Sequence, residues 1–124
     1  MPTKVAIIED EPAISQMYRF KFESEGFQVQ IAENGQTGLA LVEKMQPDII
    51  LLDLMMPIMS GDQMLRKLRA TEWGADIRVI ILTNLSKNEA PQEFRLLHID
   101  RYVLKAHYTP SQVVEIVKEV LSQQ

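Results

Sequence analysis

Four short apolar stretches in this sequence each end in polar side chains that could do chemistry together. The acidic run Glu9-Asp10-Glu11 follows Val5 to Ile8, Asp53 follows Ile49 to Leu52, Thr83 follows Ile77 to Leu82, and Lys105 follows Arg101 to Leu104. Carboxylates brought close together repel one another unless a cation lies between them, and hard oxygen ligands with water suit Mg²⁺. A lysine ammonium and a threonine hydroxyl beside such a metal supply what a phosphoryl group needs, because its charge must be neutralised and its oxygens hydrogen-bonded. Asp53 is then the natural nucleophile, since carboxylates form aspartyl-phosphate intermediates and a divalent metal stabilises the transferring group. Singly, each residue has a plainer reading. An aspartate often ends a strand, acids at Glu9 to Glu11 would favour a helix N-terminus, Thr83 is a good strand former, and Lys105 could be a solvated strand end. It is their joint placement that points to a site.

The elements that must position these groups follow from hydrophobic periodicity. Five short apolar runs alternate with segments of helical period, the pattern of a parallel sheet with helices on both faces. The first strand, Val5 to Ile8, leads to a helix opened by Pro12, with Ile14, Met17 and Tyr18 inward and Gly26 as its stop. The second, Phe27 to Ile31, leads to a helix capped by Asn34, with Gly38, Leu41, Val42 and Met45 on one face and Pro47 ending it. The third, 48–53, is apolar at every interior position, as a central strand covered on both sides should be. A helix over Gly61 to Trp73 puts Met64, Leu65 and Leu68 inward. The fourth strand is Ile77 to Leu82, and a weaker helix over Ala90 to His98 should begin near Pro91. The fifth strand, Arg101 to Leu104, precedes a helix marked by Thr109, Pro110 and Gln112 and carrying Val113, Ile116, Val117, Val120 and Leu121. The result is a (βα)₅ doubly wound α/β fold. In such sheets ligands bind beyond the carboxyl ends of the strands, where strand order reverses, and the order 2-1-3-4-5 would bring the polar residues into one crevice.

Composition narrows the possibilities. With 124 residues, 46% of them apolar, the chain fits one domain with one continuous core, 1–124, and no effector domain beside it. A net charge of -4 with mixed signs argues against a nucleic-acid or anionic-membrane surface. Without cysteine there are no disulfides and no thiolate metal sites. No stretch reads as a signal peptide or as a membrane span.

The sequence resembles the response-regulator receiver family, CheY-like and of stand-alone type, along nearly its whole length. The matching motifs are Ile7-Ile8-Glu9-Asp10-Glu11-Pro12, Ile50-Leu51-Leu52-Asp53-Leu54-Met55-Met56-Pro57 with Gly61 after it, Ile81-Leu82-Thr83, and Tyr102-Val103-Leu104-Lys105. The resemblance implies a flavodoxin-like fold and a cytoplasmic phosphoacceptor switch of a two-component or phosphorelay pathway, not a turnover enzyme. It implies Mg²⁺ held by the Asp10 and Asp53 side chains, the Met55 backbone carbonyl and, through water, Glu9. It further implies that Asp53 takes the phosphoryl group from a phosphohistidine on a sensor histidine kinase or histidine phosphotransfer domain. Lys105 would pair with the phosphoryl oxygens, and Thr83 would move to bond one of them and let Tyr102 rotate inward. The implied readout face is built by the fourth helix, fifth strand and fifth helix, where a target protein docks or, after phosphorylation, two copies pair.

Two positions depart from the family pattern. Ala106 stands where proline usually follows the lysine, so a trans peptide bond is expected after Lys105, because cis geometry before alanine costs about 3 kcal/mol. Asn84 stands where a small residue usually follows the threonine, and it is expected to narrow the entrance or to bond the phosphate. Met55 and Leu85, apolar at positions that influence the hydrolytic water, predict slow loss of the phosphoryl group. Among rivals, a non-phosphorylated interaction module of the same fold keeps some ground through Asn84 and Ala106. A nucleotide or flavin enzyme lacks the phosphate-binding loop, and a dehalogenase-type phosphatase would need an acid where Met55 stands. Met55, Met56, Met59 and Met64 read as packing, Arg66, Lys67 and Arg69 as a solvated helix face, and His98 and His107 have no metal-ligand company.

Overall fold

The computed structural model describes residues 2–90, 94 and 96–123. Its chain order is β1 (Lys4–Ile8), α1 (Pro12–Ser24), β2 (Gln28–Ala32), α2 (Gly35–Met45), β3 (Ile49–Leu52), α3 (Gly61–Arg69), β4 (Arg78–Thr83), β5 (Arg101–Leu104) and α4 (Pro110–Ser122). The five strands form one parallel sheet in the order β2-β1-β3-β4-β5. Alternation along each strand divides the core in two. Val5, Ile7, Ile49, Leu51, Ile80 and Leu82 point to one face and pack with Tyr18 and Phe22 of α1 and Val113, Val117 and Val120 of α4. Ala6, Ile8, Ile50, Leu52, Val79 and Ile81 point to the other and meet Val42 of α2 and Met64, Leu65 and Leu68 of α3. Because both faces of the central strands are covered, their sequences are apolar throughout.

Helix ends follow local chemistry. The Asn34 side chain accepts from the Thr37 N–H, and Thr109 and Gln112 form a reciprocal capping box at the start of α4. The peptide bond after Lys105 is trans, in line with expectation, and Lys105–His107 form a 3₁₀ turn.

Several expectations need correction. Met17 is exposed rather than inward; Ser15, Tyr18 and Phe22 fill the buried stripe of α1, with the Ser15 hydroxyl donating to the Pro12 carbonyl at 3.2 Å. Both β2 and β4 begin one residue later than the sequence suggests. The third helix stops at Arg69, not Trp73, because the Thr71 hydroxyl donates to the Leu68 carbonyl at 2.7 Å and accepts from the Gly74 N–H at 2.9 Å. Between β4 and β5 no α-helix occurs among the described residues, which form a 3₁₀ turn over Lys87–Glu89. The expected helix start at Pro91 lies outside the described residues, as do Gln92, Glu93 and Arg95.

Arg69 is no solvated surface residue. Its guanidinium donates to the carbonyls of Leu97, Gly74, Ile77 and His98 at 2.7 to 2.9 Å, tying the end of α3 to the entries of β4 and β5. A planar fork with donors in several directions can do this; a lysine cannot. Replacing Arg69 with alanine should therefore cost about 2 to 4 kcal/mol in urea unfolding, with lysine restoring less than half of the loss. A cost below about 1 kcal/mol would remove Arg69 from the structural role given to it.

Candidate functional site

Strand register places the polar residues at one edge. Ile8 pairs with Leu52, so Glu9 and Asp53 leave their strands side by side; the Glu9 N–H donates to the Ala32 carbonyl at 2.9 Å and the Asp53 N–H to the Ile8 carbonyl at 3.0 Å. Thr83 pairs with Leu104, which puts Lys105 one residue beyond it. Two close approaches fix the loop after Asp53. A side chain at Gly61 would stand 2.0 Å from the Asp53 carbonyl oxygen, and the Gly61 N–H donates to the Leu54 carbonyl at 3.0 Å. At the other end of the loop, the Gly35 N–H donates to the Met59 carbonyl at 2.9 Å, and a side chain there would meet that oxygen at 2.6 Å. Glycine is required at both places for steric reasons.

The crevice so formed holds Glu9, Asp10 and Asp53 with one carboxylate oxygen from each within 4.8 Å of the others. Glu9 and Asp53 are buried and Asp10 is half-buried. Lys105 lies between the two buried acids, its Nζ donating to Asp53 Oδ2 at 2.9 Å and to Glu9 Oε1. The other Glu9 oxygen accepts from the Glu11 N–H at 3.1 Å, and Asp53 Oδ1 accepts from the Met55 N–H at 3.3 Å. Burial pushes the Glu9 carboxyl above the usual glutamate value, although Lys105 and the Glu11 N–H pull the other way. Burial alone would lower the Lys105 ammonium, but its bonds to Glu9 and Asp53 outweigh that and hold it above the ordinary lysine value.

Thr83 is fully buried, and its hydroxyl oxygen accepts from the Leu85 N–H at 3.3 Å. The Tyr102 hydroxyl donates to the Leu85 carbonyl at 2.6 Å, with the Ser86 carbonyl at 3.3 Å, so one residue, Leu85, links both side chains through its N–H and its carbonyl. Burial, with the Glu89 and Asp53 carboxylates nearby, pushes the Tyr102 phenol up. Asn84 and Met55 are exposed, while Leu85 is half-buried.

The structure thus joins Glu9, Asp10, Asp53 and Lys105 by direct proximity and brings Thr83 and Tyr102 to the same edge through β4 and β5. Sequence reasoning did not see that Glu9 bonds directly to Lys105, because the two residues lie 96 apart in the chain and only the register unites them. The donor set of three carboxylates with water access at Asp10 fits Mg²⁺, a hard cation that favours oxygen ligands and keeps part of its water.

Comparison with known proteins agrees with this geometry. The sequence profile of the response regulator receiver domain matches residues 5–118, and the chain belongs to that family. Its acidic cluster is the Mg²⁺ pocket of a receiver, and the family's members are phosphoacceptor switches of two-component signalling. The DNA-binding dual master transcriptional regulator RpaA of Synechocystis is 43% identical over 84 residues, which cover 68% of this chain and 35% of that protein. The phosphate regulon transcriptional regulatory protein PhoB of Pseudomonas aeruginosa is 34% identical over 119 residues, 94% of this chain and 51% of that protein. The chain therefore spans about half or less of the length of these curated relatives. Among solved structures, the chemotaxis response regulator CheY4 of Vibrio cholerae superposes with a TM-score of 0.87 at 24% identity, covering 97% of this chain and 99% of its own. The BeF₃-activated DrrB receiver domain superposes with a TM-score of 0.82 at 26% identity, covering 99% and 100%.

The raised Glu9 carboxyl has a consequence for metal binding. A group that keeps its proton to higher pH is lost as a ligand earlier on acidification, so protons compete at Glu9 above the ordinary value of 4.5. Calorimetric Mg²⁺ affinity should weaken as pH falls toward that value, and Glu9→Gln should flatten the decline. An unchanged pH dependence in Glu9→Gln would show that Glu9 takes no part.

Proposed function

We propose that the chain receives a phosphoryl group on Asp53 from the phosphohistidine of a sensor histidine kinase or a histidine phosphotransfer domain, in a Mg²⁺-dependent reaction. The observation that carries this reading is the Lys105 ammonium bonded to Asp53 inside a cluster of three carboxylates. In the reaction an Asp53 carboxylate oxygen attacks phosphorus in line with the departing imidazole nitrogen. The P–N bond breaks as the new P–O bond forms, and the imidazole leaves with the electron pair. Mg²⁺ bound by the Asp10 and Asp53 side chains and the Met55 carbonyl, and by Glu9 through water, would neutralise charge on the transferring group. Lys105 pairs with the phosphoryl oxygens. Thr83 turns its hydroxyl from the Leu85 N–H to one of those oxygens, and Tyr102, tied to the same residue, follows.

Phosphorylation can shift a surface only if the new group is bonded better in one state than in the other. Thr83 supplies that difference, and we assign the readout to the face that carries β5 and α4, with residues 84–90 beside them. A target protein, or a second copy after phosphorylation, would dock there. Asn84 borders the entrance. We assign residues 1–124 to one receiver domain working in the cytoplasm, where ATP-charged histidine donors are found. No helix among the described residues is long and apolar enough to cross a membrane.

The test is the intact mass of the protein after incubation with Mg²⁺ and acetyl phosphate. A single phosphoryl adduct should form on the wild type, and none without Mg²⁺ or in Asp53→Ala. Once formed, the adduct should outlast that of Met55→Asn several-fold, because a polar side chain there would orient the hydrolytic water. An adduct that persists in Asp53→Ala would overturn the assignment of the acceptor.

A further inference from the structure

Ile58 occupies a backbone conformation that its side chain disfavours. Its φ is +69°, and the Met59 N–H donates to the Pro57 carbonyl at 2.7 Å across it. A hydrogen bond from residue i+2 to residue i about a centre of positive φ defines the rarer, strained kind of γ-turn. Glycine or asparagine enters that region readily, whereas a β-branched residue there is an outlier. The turn is held on both sides: the Met59 carbonyl accepts from Gly35, the Ser60 N–H and side chain form a capping box with Gln63, and Gly61 closes against Leu54. The strain therefore persists because the surrounding loop dictates the backbone.

Among the described residues, none of the core packs on the isoleucine, whose side chain is 76% exposed. Beside it on the loop that carries Asp53, Met55 is 64% exposed. Both belong to the loop that leaves Asp53 and returns against its carbonyl at Gly61, and Asp53 itself is only 6% exposed. A histidine-borne phosphoryl group must descend into the crevice to reach Asp53, which brings the donor's surface down on this rim. The strained turn thus presents an apolar side chain where a partner must come into contact.

We propose that Ile58 is a docking anchor for the phosphodonor protein, an exposed apolar tip on a strained turn that fits an apolar patch beside the donor's histidine. The inference rests on the reading of Asp53 as acceptor. Burying one aliphatic side chain at the centre of a small contact is enough to change transfer efficiency by about tenfold.

The test uses Ile58→Gly and Ile58→Asn, which relieve the turn, with Ile58→Leu, which keeps an apolar tip. Donors are the autophosphorylated histidine kinases of the organism that encodes the chain, each assayed for transfer. Both relieving variants should melt at least about 2 °C above wild type. They should take phosphate from acetyl phosphate at the wild-type rate, yet lose about tenfold in kcat/KM from the kinase that serves the wild type best, with Ile58→Leu retaining most of it. Equal kinase transfer by wild type and Ile58→Gly would overturn the anchor, and so would no transfer to wild type from any kinase. Failure of the wild type with acetyl phosphate would instead count against the acceptor reading itself.

Discussion

Three carboxylates converge in one crevice with a single ammonium among them, and the rest of the structure serves to hold that unfavourable gathering in place. Like charges at this spacing resist being brought together and out of water, so the site leaves an excess of negative charge that a divalent cation can satisfy. Lys105 offsets part of that charge within the protein itself. Its two partners come from β1 and β3, and the lysine from β5, so the ion pairs cross the strands at their carboxyl edge. The 2-1-3-4-5 order brings those three strand ends within reach of one another.

The sheet can hold this arrangement because its central strands are buried on both faces and have no freedom to slip. A one-residue shift of β3 would turn Ile49 and Leu51 from the α1 and α4 side to the other, against the packing of both halves of the core. The loop after Asp53 is equally constrained. Gly61 admits the Asp53 carbonyl at a distance no side chain would permit, and Gly35 locks the loop's far end. The strain at Ile58 is a by-product of that closure, not a random defect.

Much of this was legible in the sequence. The apolar runs identified every strand, since full burial leaves a run apolar at each position, and Asn34, Thr109 and Gln112 announced two helix starts because capping is local chemistry. What escaped notice depends on contacts between distant residues. Nothing near Arg69 indicates that its guanidinium turns back onto carbonyls as far along the chain as His98, and the early stop of α3 rests on the Thr71 hydroxyl bonding both Leu68 and Gly74. Of the α1 residues expected inward, Tyr18 is buried and Ile14 packs against the core; only Met17 lies outside, while Ser15 is buried with its hydroxyl on the Pro12 carbonyl. The direct bond between Glu9 and Lys105 is likewise a product of register. Ile58 gave no sign at all, because positive φ is read from glycine or asparagine and neither is there.

The central claim is that this crevice closes around a phosphoryl-like group on Asp53 with a divalent metal beside it, and ¹⁹F NMR with beryllofluoride tests that directly. Beryllofluoride forms a tetrahedral mimic on a carboxylate, so bound fluorine resonances should appear in the wild type when Mg²⁺ is present. They should vanish on chelation of Mg²⁺ and in Asp53→Ala, and Thr83 and Tyr102 should shift in ¹H–¹⁵N spectra only when they are present. Bound resonances that survive in Asp53→Ala, or none in the wild type at saturating Mg²⁺, would contradict the account.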